Sequence, residues 1–477
     1  MMESRARGAV AWGLVGIAML VGSPSRAEVR LPNVLGSGMV IQREADAAIW
    51  GWADPGEAVR VRASWSADAT GEARADDRGR WRVILRTPQA GGPFTITVEG
   101  SNTITLRDVL AGDVWVCSGQ SNMEWPLAAS QDADRAVGQA THSGIRLYDV
   151  TNVTAATPRD DAPAQTLGSA PGWTACSPES AKGFSAVAYY FAREMHESLG
   201  VPIGLVGSNW GGTPAEAWTS AVGLADFPEF APALARLGEP DAKPGPGTPA
   251  SLYNGMIAPL TPMAIRGAIW YQGESNVGRA EQYARLFPAM IADWRRAFGR
   301  EFPFYFVQIA PFAYKGDTGA AAELRVAQAA ALALPQTGMV VTMDVGDPLD
   351  IHPRDKQTVG ERLARLALHR TFGKTDVPCD GPEFASARAE GAGLRVVLRH
   401  AEGLESRGGP PEGFEVAGAD GAFRKAAARV EGDAIVLNAE GVSEPREVRF
   451  AWGAASGSNV FNRAGLPLAS FRARVGE

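Results

Sequence analysis

The sequence contains few of the residues from which metal sites and disulfide frameworks are built. It has 3 cysteines and 5 histidines in 477 residues. Cys117, Cys176 and Cys379 lie far apart and match no zinc-binding spacing, and the histidines occur singly. The cysteines allow one disulfide with one free thiol, or no disulfide. We therefore expect neither a resident metal nor another cofactor.

Excess positive charge and long apolar runs are also missing. The formal net charge is −7, without a basic cluster that would gather phosphates, so nucleic acid is not an expected partner. The apolar run at 8–22 is shorter than the roughly 20 residues that span a bilayer, and no second run follows. With 45% hydrophobic and 21% charged residues, the composition is that of a packed globular protein. We expect no membrane anchor, and the sequence assigns no oligomeric state.

The N-terminal segment has the pattern of a secretory signal peptide. Arg5 and Arg7 precede the apolar run, and the small residues around Ala27 follow it. We expect residues 1–27 to be cleaved after Ala27 and the protein to be exported to the periplasm or secreted. The alternative, a buried N-terminal helix, leaves the small residues at the cleavage site unexplained.

The rest of the chain divides into three regions by sequence texture. At 28–107, short extended segments alternate with turn signals about every ten residues, which predicts an antiparallel β-sandwich. At 108–375, apolar strand-like runs alternate with helical patterns, which predicts a parallel sheet wrapped by helices. At 381–477 the β texture returns and predicts a second β domain. Helices are expected at 184–199, 283–298 and 355–372 of the central region.

The first candidate site residue is a serine that directly follows a strand-like run. The string GQSNM, with Ser121 at its centre, ends the run DVWVCSG. A serine at a strand-to-helix turn presents its hydroxyl at the sheet edge, and its own N–H can act as an oxyanion donor. The same pattern is also that of a helix N-cap. Ser118 is the competing nucleophile, although it lies nearer the strand.

Two further loops carry groups suited to stabilise an oxyanion. In the string SNWGGT at 208–213, the paired glycines let the backbone approach a substrate and aim an N–H at it. In WYQGESN at 270–276, a side-chain amide can supply another donor, and Glu274 can hold a neighbouring group. Taken singly, the first string is also that of a tight turn, and Glu274 is also a typical solvated carboxylate.

The fourth loop, DPLDIHP at 347–353, carries a histidine beside carboxylates. Such a histidine is the expected base for a serine nucleophile, because the carboxylate fixes its tautomer and stabilises the imidazolium. A lone histidine is more often structural, but the position after the last predicted strand favours catalysis. Since all four loops follow predicted parallel strands, they are expected to project from one edge of the sheet.

The order and the strings resemble the SGNH hydrolase superfamily and, within it, the sialate O-acetylesterase family of carbohydrate esterases. GQSNM, NWGGT, YQGESN and DIHPRDKQ are similar to the family's nucleophile, glycine, third and histidine blocks. LPNVLGSGMVIQR, FSAVAYYFAREM and NVFNRAGLP extend the resemblance over essentially the whole chain after residue 27. It implies a three-layer α/β/α, flavodoxin-like SGNH-hydrolase domain with a parallel sheet, flanked by N- and C-terminal β domains.

The resemblance also implies roles for individual residues. Ser121 is expected as the nucleophile and His352 as the base. The expected oxyanion hole consists of Ser121 N–H, Gly211 N–H and the side chain of Gln272. Asn122 and Glu274 are expected in supporting positions. Many relatives have an asparagine at the position of Gln272, which preserves an amide donor.

Two aspartates are candidates for the acid that accompanies His352. Many superfamily members place it three residues before the histidine, where this chain has Leu349. Asp350 is the expected acid and Asp347 its rival. The implied reaction is the removal of acetyl groups from O-acetylated carbohydrate, either sialic acid esters or plant polysaccharides such as acetylxylan.

Two other functions compete with an acetylesterase. One is a non-catalytic carbohydrate-binding protein over a decayed site, against which the intact Ser121, Asp350 and His352 count. The other is a lipase for long acyl chains, against which the polar, tryptophan-rich loops count.

Overall fold

The computed structural model describes residues 28–168, 170–391 and 393–476, together with Met1. Apart from Met1, the predicted signal peptide lies outside the described residues. None of the described helices is both long and apolar enough to span a membrane. Cys117, Cys176 and Cys379 are all free thiols.

The N-terminal part of the chain is built from strands. These are β1 (Val40–Gln42), β2 (Asp46–Trp52), β3 (Ala58–Ala63), β4 (Thr70–Arg74), β5 (Arg80–Arg86), β6 (Gly91–Glu99) and β7 (Thr103–Gly119). Strands β2 and β5 form one antiparallel pair, and β4, β3, β6 and β7 form a second antiparallel layer. Buried and exposed residues alternate along β3 and β5, as expected of strands with one face in a core.

Strand β7 joins this β region to the central sheet. Its first part, 103–111, pairs with β6, and its last part, 113–119, pairs with the central strands. The predicted domain boundary at residue 107 therefore falls within a continuous strand. Asp113 is fully buried where the two parts meet and pairs with Arg43 and Arg266.

The central region alternates strands and helices. Its further strands are β8 (His142–Asp149), β9 (Thr166–Leu167), β10 (Ala170–Pro171), β11 (Thr174–Cys176), β12 (Ile203–Asn209), β13 (Gly267–Tyr271), β14 (Phe304–Val307) and β15 (Thr337–Val340). Its α-helices are α1 (Ser121–Glu124), α2 (Ala133–Gln139), α3 (Pro178–Ala181), α4 (Ala186–Leu199), α5 (Ala231–Leu237), α6 (Ala280–Phe298), α7 (Ala320–Gln328) and α8 (Lys356–Leu366).

Short helical turns complete the central region. They are 3-10 turns at Leu127–Ala129, Ala215–Trp218, Pro228–Phe230, Ala258–Leu260, Glu274–Asn276 and Ala329–Ala333, and π turns at Tyr253–Ile257 and Ala367–Thr371.

The central sheet has the strand order β11-β8-β12-β7-β13-β14-β15. All neighbours from β8 to β15 run parallel, and β11 is an antiparallel edge strand. In β7, Val114 and Val116 point into one core and Trp115 and Cys117 into the other. Helices α6 and α7 cover the first face, and α4 and α8 cover the second. The predicted three-layer α/β/α fold with a parallel sheet is confirmed.

The three predicted helices of this region are present with shifted ends. Helix α4 begins after Ser185, whose hydroxyl accepts the N–H of Ala188, and it ends at Gly200, which has a φ of 66°. Helix α8 begins after Asp355, which caps Thr358 N–H, and it passes into the π turn at 367–371. Local capping therefore sets the starts of α4 and α8 and the end of α4.

The C-terminal part consists of short antiparallel strands. They are β16 (Glu383–Glu390), β17 (Gly393–Arg399), β18 (Glu405–Ser406), β19 (Phe414–Ala417), β20 (Phe423–Lys425), β21 (Ala427–Glu431), β22 (Ala434–Asn438), β23 (Glu447–Phe450), β24 (Val460–Phe461) and β25 (Phe471–Arg474). Two four-stranded sheets, β16-β17-β22-β21 and β20-β19-β23-β25, pack around a shared core.

A buried arginine connects the central region to the C-terminal sheets. Arg325 on α7 donates hydrogen bonds to the carbonyls of Ala451, Gly453 and Ala454 and to the hydroxyl of Ser470. Burial lowers the pKa of Arg325 to about 10, so it remains charged at neutral pH. With its N–H groups hydrogen-bonded in this way, the guanidinium fixes the C-terminal sheets against α7.

Candidate active site

The candidate site lies at the carboxyl ends of β7, β12 and β13. Gly119 ends β7 with a φ of 139°, and a Cβ there would lie 2.1 Å from the carbonyl oxygen of Tyr271. Only glycine permits this close approach of two strands. The turn that follows is held by Gln120, whose side-chain oxygen accepts the N–H groups of Gly273 and Ser275. Ser121 is thereby placed at the start of α1, above the sheet edge.

The structure brings Ser121 and His352 together. The Nε2 atom of His352 lies 2.9 Å from Ser121 Oγ, although 231 residues separate them. The indole of Trp125 stacks on the imidazole at a ring-centre distance of 4.9 Å and an interplanar angle of 16°. Ser118, the competing serine, is fully buried within β7. Ser121 is therefore the serine that can meet a substrate.

The surroundings of His352 favour its neutral form. Partial burial and the nearby charge of Lys356 lower the pKa of His352, and the charge of Asp350 opposes them. A neutral imidazole with Nε2 at a serine hydroxyl can accept the hydroxyl proton.

The two candidate acids occupy different positions. Asp350 Oδ1 lies 3.6 Å from His352 Nδ1, longer than an ordinary hydrogen bond, and accepts the backbone N–H of His352 at 2.9 Å. Its side chain is 48% exposed. Asp347 instead accepts the N–H of Leu349 and shapes the turn, and in the described residues it makes no hydrogen bond or ion pair to the imidazole. Asp350 is thus the carboxylate beside the histidine.

Two of the three expected oxyanion donors lie beside the serine. Ser121 N–H has no acceptor among the residues that the structure describes. A Cβ placed on Gly211 would lie 3.3 Å from Ser121 Cβ, so this backbone passes close to Ser121. The N–H of Gly211 is not free, however: it donates to Glu124 Oε2 at 2.6 Å.

The geometry does not support the expected oxyanion role of Gln272. Its side chain is fully buried, and its Nε2 donates to Thr213 O at 3.2 Å and to Asn276 Oδ1 at 2.6 Å. Its Oε1 accepts the hydroxyl of Tyr283 at 3.0 Å. Because both N–H groups of the amide have acceptors inside the protein, Gln272 supports the loops instead of facing a substrate.

A buried polar network lies behind Ser121. Asn122 donates to Glu274 Oε1 at 2.6 Å and to Ile351 O at 3.0 Å, and it accepts a hydrogen bond from Lys356 Nζ. Burial raises the pKa of Glu274 and lowers the pKa of Lys356 to about 7. The network connects the serine turn, the third loop and the residue before His352.

Glu124 and Lys356 are the site residues that the sequence interpretation missed. Both lie within strings singled out there or directly beside them, GQSNM followed by Glu124 and DIHPRDKQ containing Lys356. Proximity to those strings is the signal that could have found them. Among the tryptophans near the loops, Trp218 and Trp270 are core residues, whereas Trp125 and Trp210 keep some exposure.

The α/β/α fold brings a serine and a histidine together at its sheet edge, an arrangement typical of serine hydrolases. The family model described as "Carbohydrate esterase, sialic acid-specific acetylesterase" matches residues 111–369. Human (Homo sapiens) sialate O-acetylesterase is 35% identical over 393 residues, covering 74% of this chain and 73% of that protein. The rat (Rattus norvegicus) sialate O-acetylesterase is 33% identical over 408 residues, covering 74% and 75%.

A solved structure is similar over almost the full length. A carbohydrate acetylesterase from Xanthomonas citri shares 37% identity and a TM-score of 0.83, covering 94% of this chain and 99% of that one. The chain belongs to the sialic acid-specific acetylesterase family of carbohydrate esterases. The resemblance seen in the sequence is thereby confirmed, and the protein is an esterase.

Proposed function

We propose that this protein hydrolyses acetyl esters on sugars with Ser121 as the nucleophile and His352 as the general base. The observation that carries the proposal is the 2.9 Å contact between His352 Nε2 and Ser121 Oγ at the sheet edge. The names of the relatives supply the substrate class, since they are sialate O-acetylesterases and a carbohydrate acetylesterase.

Acylation begins when Ser121 Oγ attacks the acetyl carbonyl carbon and its proton passes to His352 Nε2. Asp350, beside the ring, stabilises the resulting imidazolium. The N–H groups of Ser121 and Gly211 are the donors for the tetrahedral oxyanion. As the intermediate collapses, the bond to the sugar oxygen breaks and His352 returns the proton to that oxygen.

Deacylation repeats these roles with water. His352 takes a proton from the water, whose oxygen attacks the acetyl carbon of the acyl-enzyme. Collapse of the second intermediate releases acetate and restores the Ser121 hydroxyl. The imidazole carries every proton in these reaction steps, so the chemistry requires no cofactor.

Two classes of sugar ester are proposed as substrates. Sialic acid esters are the first substrate class, because the family and its mammalian relatives carry that name. Plant polysaccharide esters such as acetylxylan are the alternative, since the Xanthomonas citri relative is described only as a carbohydrate acetylesterase.

We also propose that the protein is exported. The charged, apolar and small-residue segments at 1–27 are those of a secretory signal peptide. N-terminal sequencing of the protein recovered from the periplasm or medium tests this proposal, with Glu28 as the expected first residue.

Acetate release tests the function. The purified protein is incubated with O-acetylated sialosides and with acetylated xylan or pectin oligosaccharides, beside the Ser121→Ala variant. Release by the wild type that vanishes in the variant supports the esterase and identifies the sugar. If the wild type is inert across the panel but binds the glycans, a non-catalytic carbohydrate-binding protein replaces the proposal.

A further inference from the structure

An internal carboxylate occupies a position where an oxyanion would bind. Glu124 Oε2 accepts the N–H of Gly211 at 2.6 Å. A Cβ on Gly211 would lie 2.9 Å from this oxygen and 3.3 Å from Ser121 Cβ, so the carboxylate and the nucleophile flank the same glycine. An N–H that binds a negatively charged oxygen beside the serine is suited to bind a second one. The carboxylate and the ester oxygen therefore compete for one donor.

Glu124 is held by few contacts. Its other oxygen accepts the side-chain N–H of Asn152 at 3.3 Å, and no ion pair to Glu124 occurs in the described part of the chain. The side chain keeps some exposure. Its backbone is fixed by a hydrogen bond to Gln120 O, so only the side chain has to move to free Gly211.

A second carboxylate, Asp149, lies within electrostatic range of Glu124. Burial and the charge of Glu124 raise the pKa of Asp149 to about 7. A carboxylate is a stronger hydrogen-bond acceptor than a neutral oxygen, so Glu124 is suited to accept a hydroxyl donor brought by a ligand.

Sugar esters carry such donors, whereas simple esters do not. An acetylated sugar has hydroxyl groups on the ring carbons next to the ester, and each hydroxyl can donate to a carboxylate. A site built to bond a hydroxyl rejects an analogue that lacks it, because its polar group is then left without the expected partner.

Building on the proposed esterase function, we propose that Glu124 is a specificity-determining residue that binds a sugar hydroxyl neighbouring the acetyl ester. In the free site its carboxylate covers the N–H of Gly211. The hydroxyl draws the carboxylate away, and the ester oxygen takes the N–H that is released. An ester without that hydroxyl leaves Glu124 on Gly211 and lacks one oxyanion donor.

The test compares two substrates that differ in one group. The first is the acetylated sugar that gives the fastest acetate release, and the second is its deoxy analogue without the neighbouring hydroxyl. We expect kcat/KM of the wild type to be at least about tenfold higher for the hydroxyl substrate. Glu124→Gln keeps the shape but loses the charge, and we expect it to reduce this preference to less than about threefold. Its kcat/KM for the deoxy ester should be unchanged or higher.

The controls separate the possible outcomes. Glu281→Gln, an exposed glutamate on α6, is expected to keep the wild-type preference. Glu124→Asp keeps the carboxylate on a shorter side chain and serves as a second variant. Thermal unfolding checks that it is folded. A wild type that treats both substrates alike, or a Glu124→Gln protein with the full preference, overturns the role of Glu124. A wild type inert on every ester overturns the esterase function itself.

Discussion

Lys356 Nζ donates a hydrogen bond to Asn122 Oδ1, so a buried lysine is attached to the residue that follows Ser121. The same Asn122 donates to Glu274 and to the carbonyl of Ile351, one residue before His352. A single side chain thus links the serine, the third loop and the histidine. The rings of Trp125 and Tyr271 lie 5.7 and 5.5 Å from the ammonium. From this arrangement we expect Asn122 to be a positioning residue for the proposed Ser121–His352 pair.

Asn122→Leu is expected to lower the free energy of unfolding by about 1–3 kcal/mol or more, because it leaves the buried side chains of Lys356 and Glu274 without their common hydrogen-bond partner. Denaturant unfolding measures this loss. At a temperature where the variant is folded, kcat should fall while KM for the acetylated sugar changes little, since Asn122 acts through Ser121 and His352. Unchanged stability together with unchanged kcat would contradict the positioning role.

The pH dependence of kcat/KM reports the state of His352. In the proposed mechanism only the neutral imidazole accepts the proton of Ser121, and the pKa of His352 is lowered by burial and by the charge of Lys356. The base form therefore persists to a lower pH than in an ordinary histidine. We expect the midpoint of the acid limb below about pH 6.5.

Variants of the two charged neighbours should move this midpoint in opposite directions. With a pKa of about 7, Lys356 is mostly charged over the acid limb, so Lys356→Met is expected to raise the midpoint. Asp350→Asn removes the opposing charge and should lower it. A rate profile that shifts in neither variant would show that His352 is not the titrating base.

The aspartates near His352 should contribute unequally. At 3.6 Å from Nδ1 and half-exposed, Asp350 assists the imidazolium less than a buried, hydrogen-bonded carboxylate does. Asp350→Asn is expected to lower kcat by about tenfold, against the roughly 10⁴-fold loss known for a tightly bonded triad aspartate. Asp347→Asn, which alters only the turn, should cost less. A larger loss for Asp347→Asn would reverse the assignment of the acid.

Gln272 is expected to act on stability more than on chemistry. Gln272→Leu removes the hydrogen bonds to Asn276 Oδ1, Thr213 O and the Tyr283 hydroxyl and leaves Thr213 O unpaired, which costs about 1–3 kcal/mol. Thermal unfolding should show the loss. In the folded variant kcat should fall by less than the roughly 10²–10³-fold expected for a lost oxyanion donor. A loss in that range without destabilisation would restore Gln272 to the oxyanion hole.

The sequence predicts the sheet edge and its loops well because the candidate site residues lie in contiguous stretches of sequence. Apolar runs that end in GQSNM, NWGGT and YQGESN place three loops at the ends of adjacent parallel strands. The histidine string DIHP lies in the loop after β15, which β13 and β14 separate from β7, so the 2.9 Å contact between Ser121 and His352 depends on the path of that loop. The observed helix ends differ from the predicted ones because each end depends on single capping hydrogen bonds, such as the one that Ser185 accepts.

Those stretches of sequence do not predict where a side chain points within its loop. Gln272 turns inward because Asn276 and Thr213 offer acceptors that only the folded loops bring together. Lys356 stands at the first residue of α8, where a lysine is ordinarily solvated, and becomes buried only through Asn122 and its neighbours. The contact between Glu124 and Gly211 joins residues 87 apart and depends on the paths of two loops.

Covalent labelling tests the assignment of the nucleophile most directly. The protein is treated with a fluorophosphonate, which phosphonylates activated serines, and the modified residue is located by peptide mass spectrometry. Ser121 is expected to carry the label in the wild type, and His352→Ala should label far more slowly because Ser121 loses its base. A label on Ser118 or another serine, or equal labelling of wild type and His352→Ala, would contradict the Ser121–His352 mechanism.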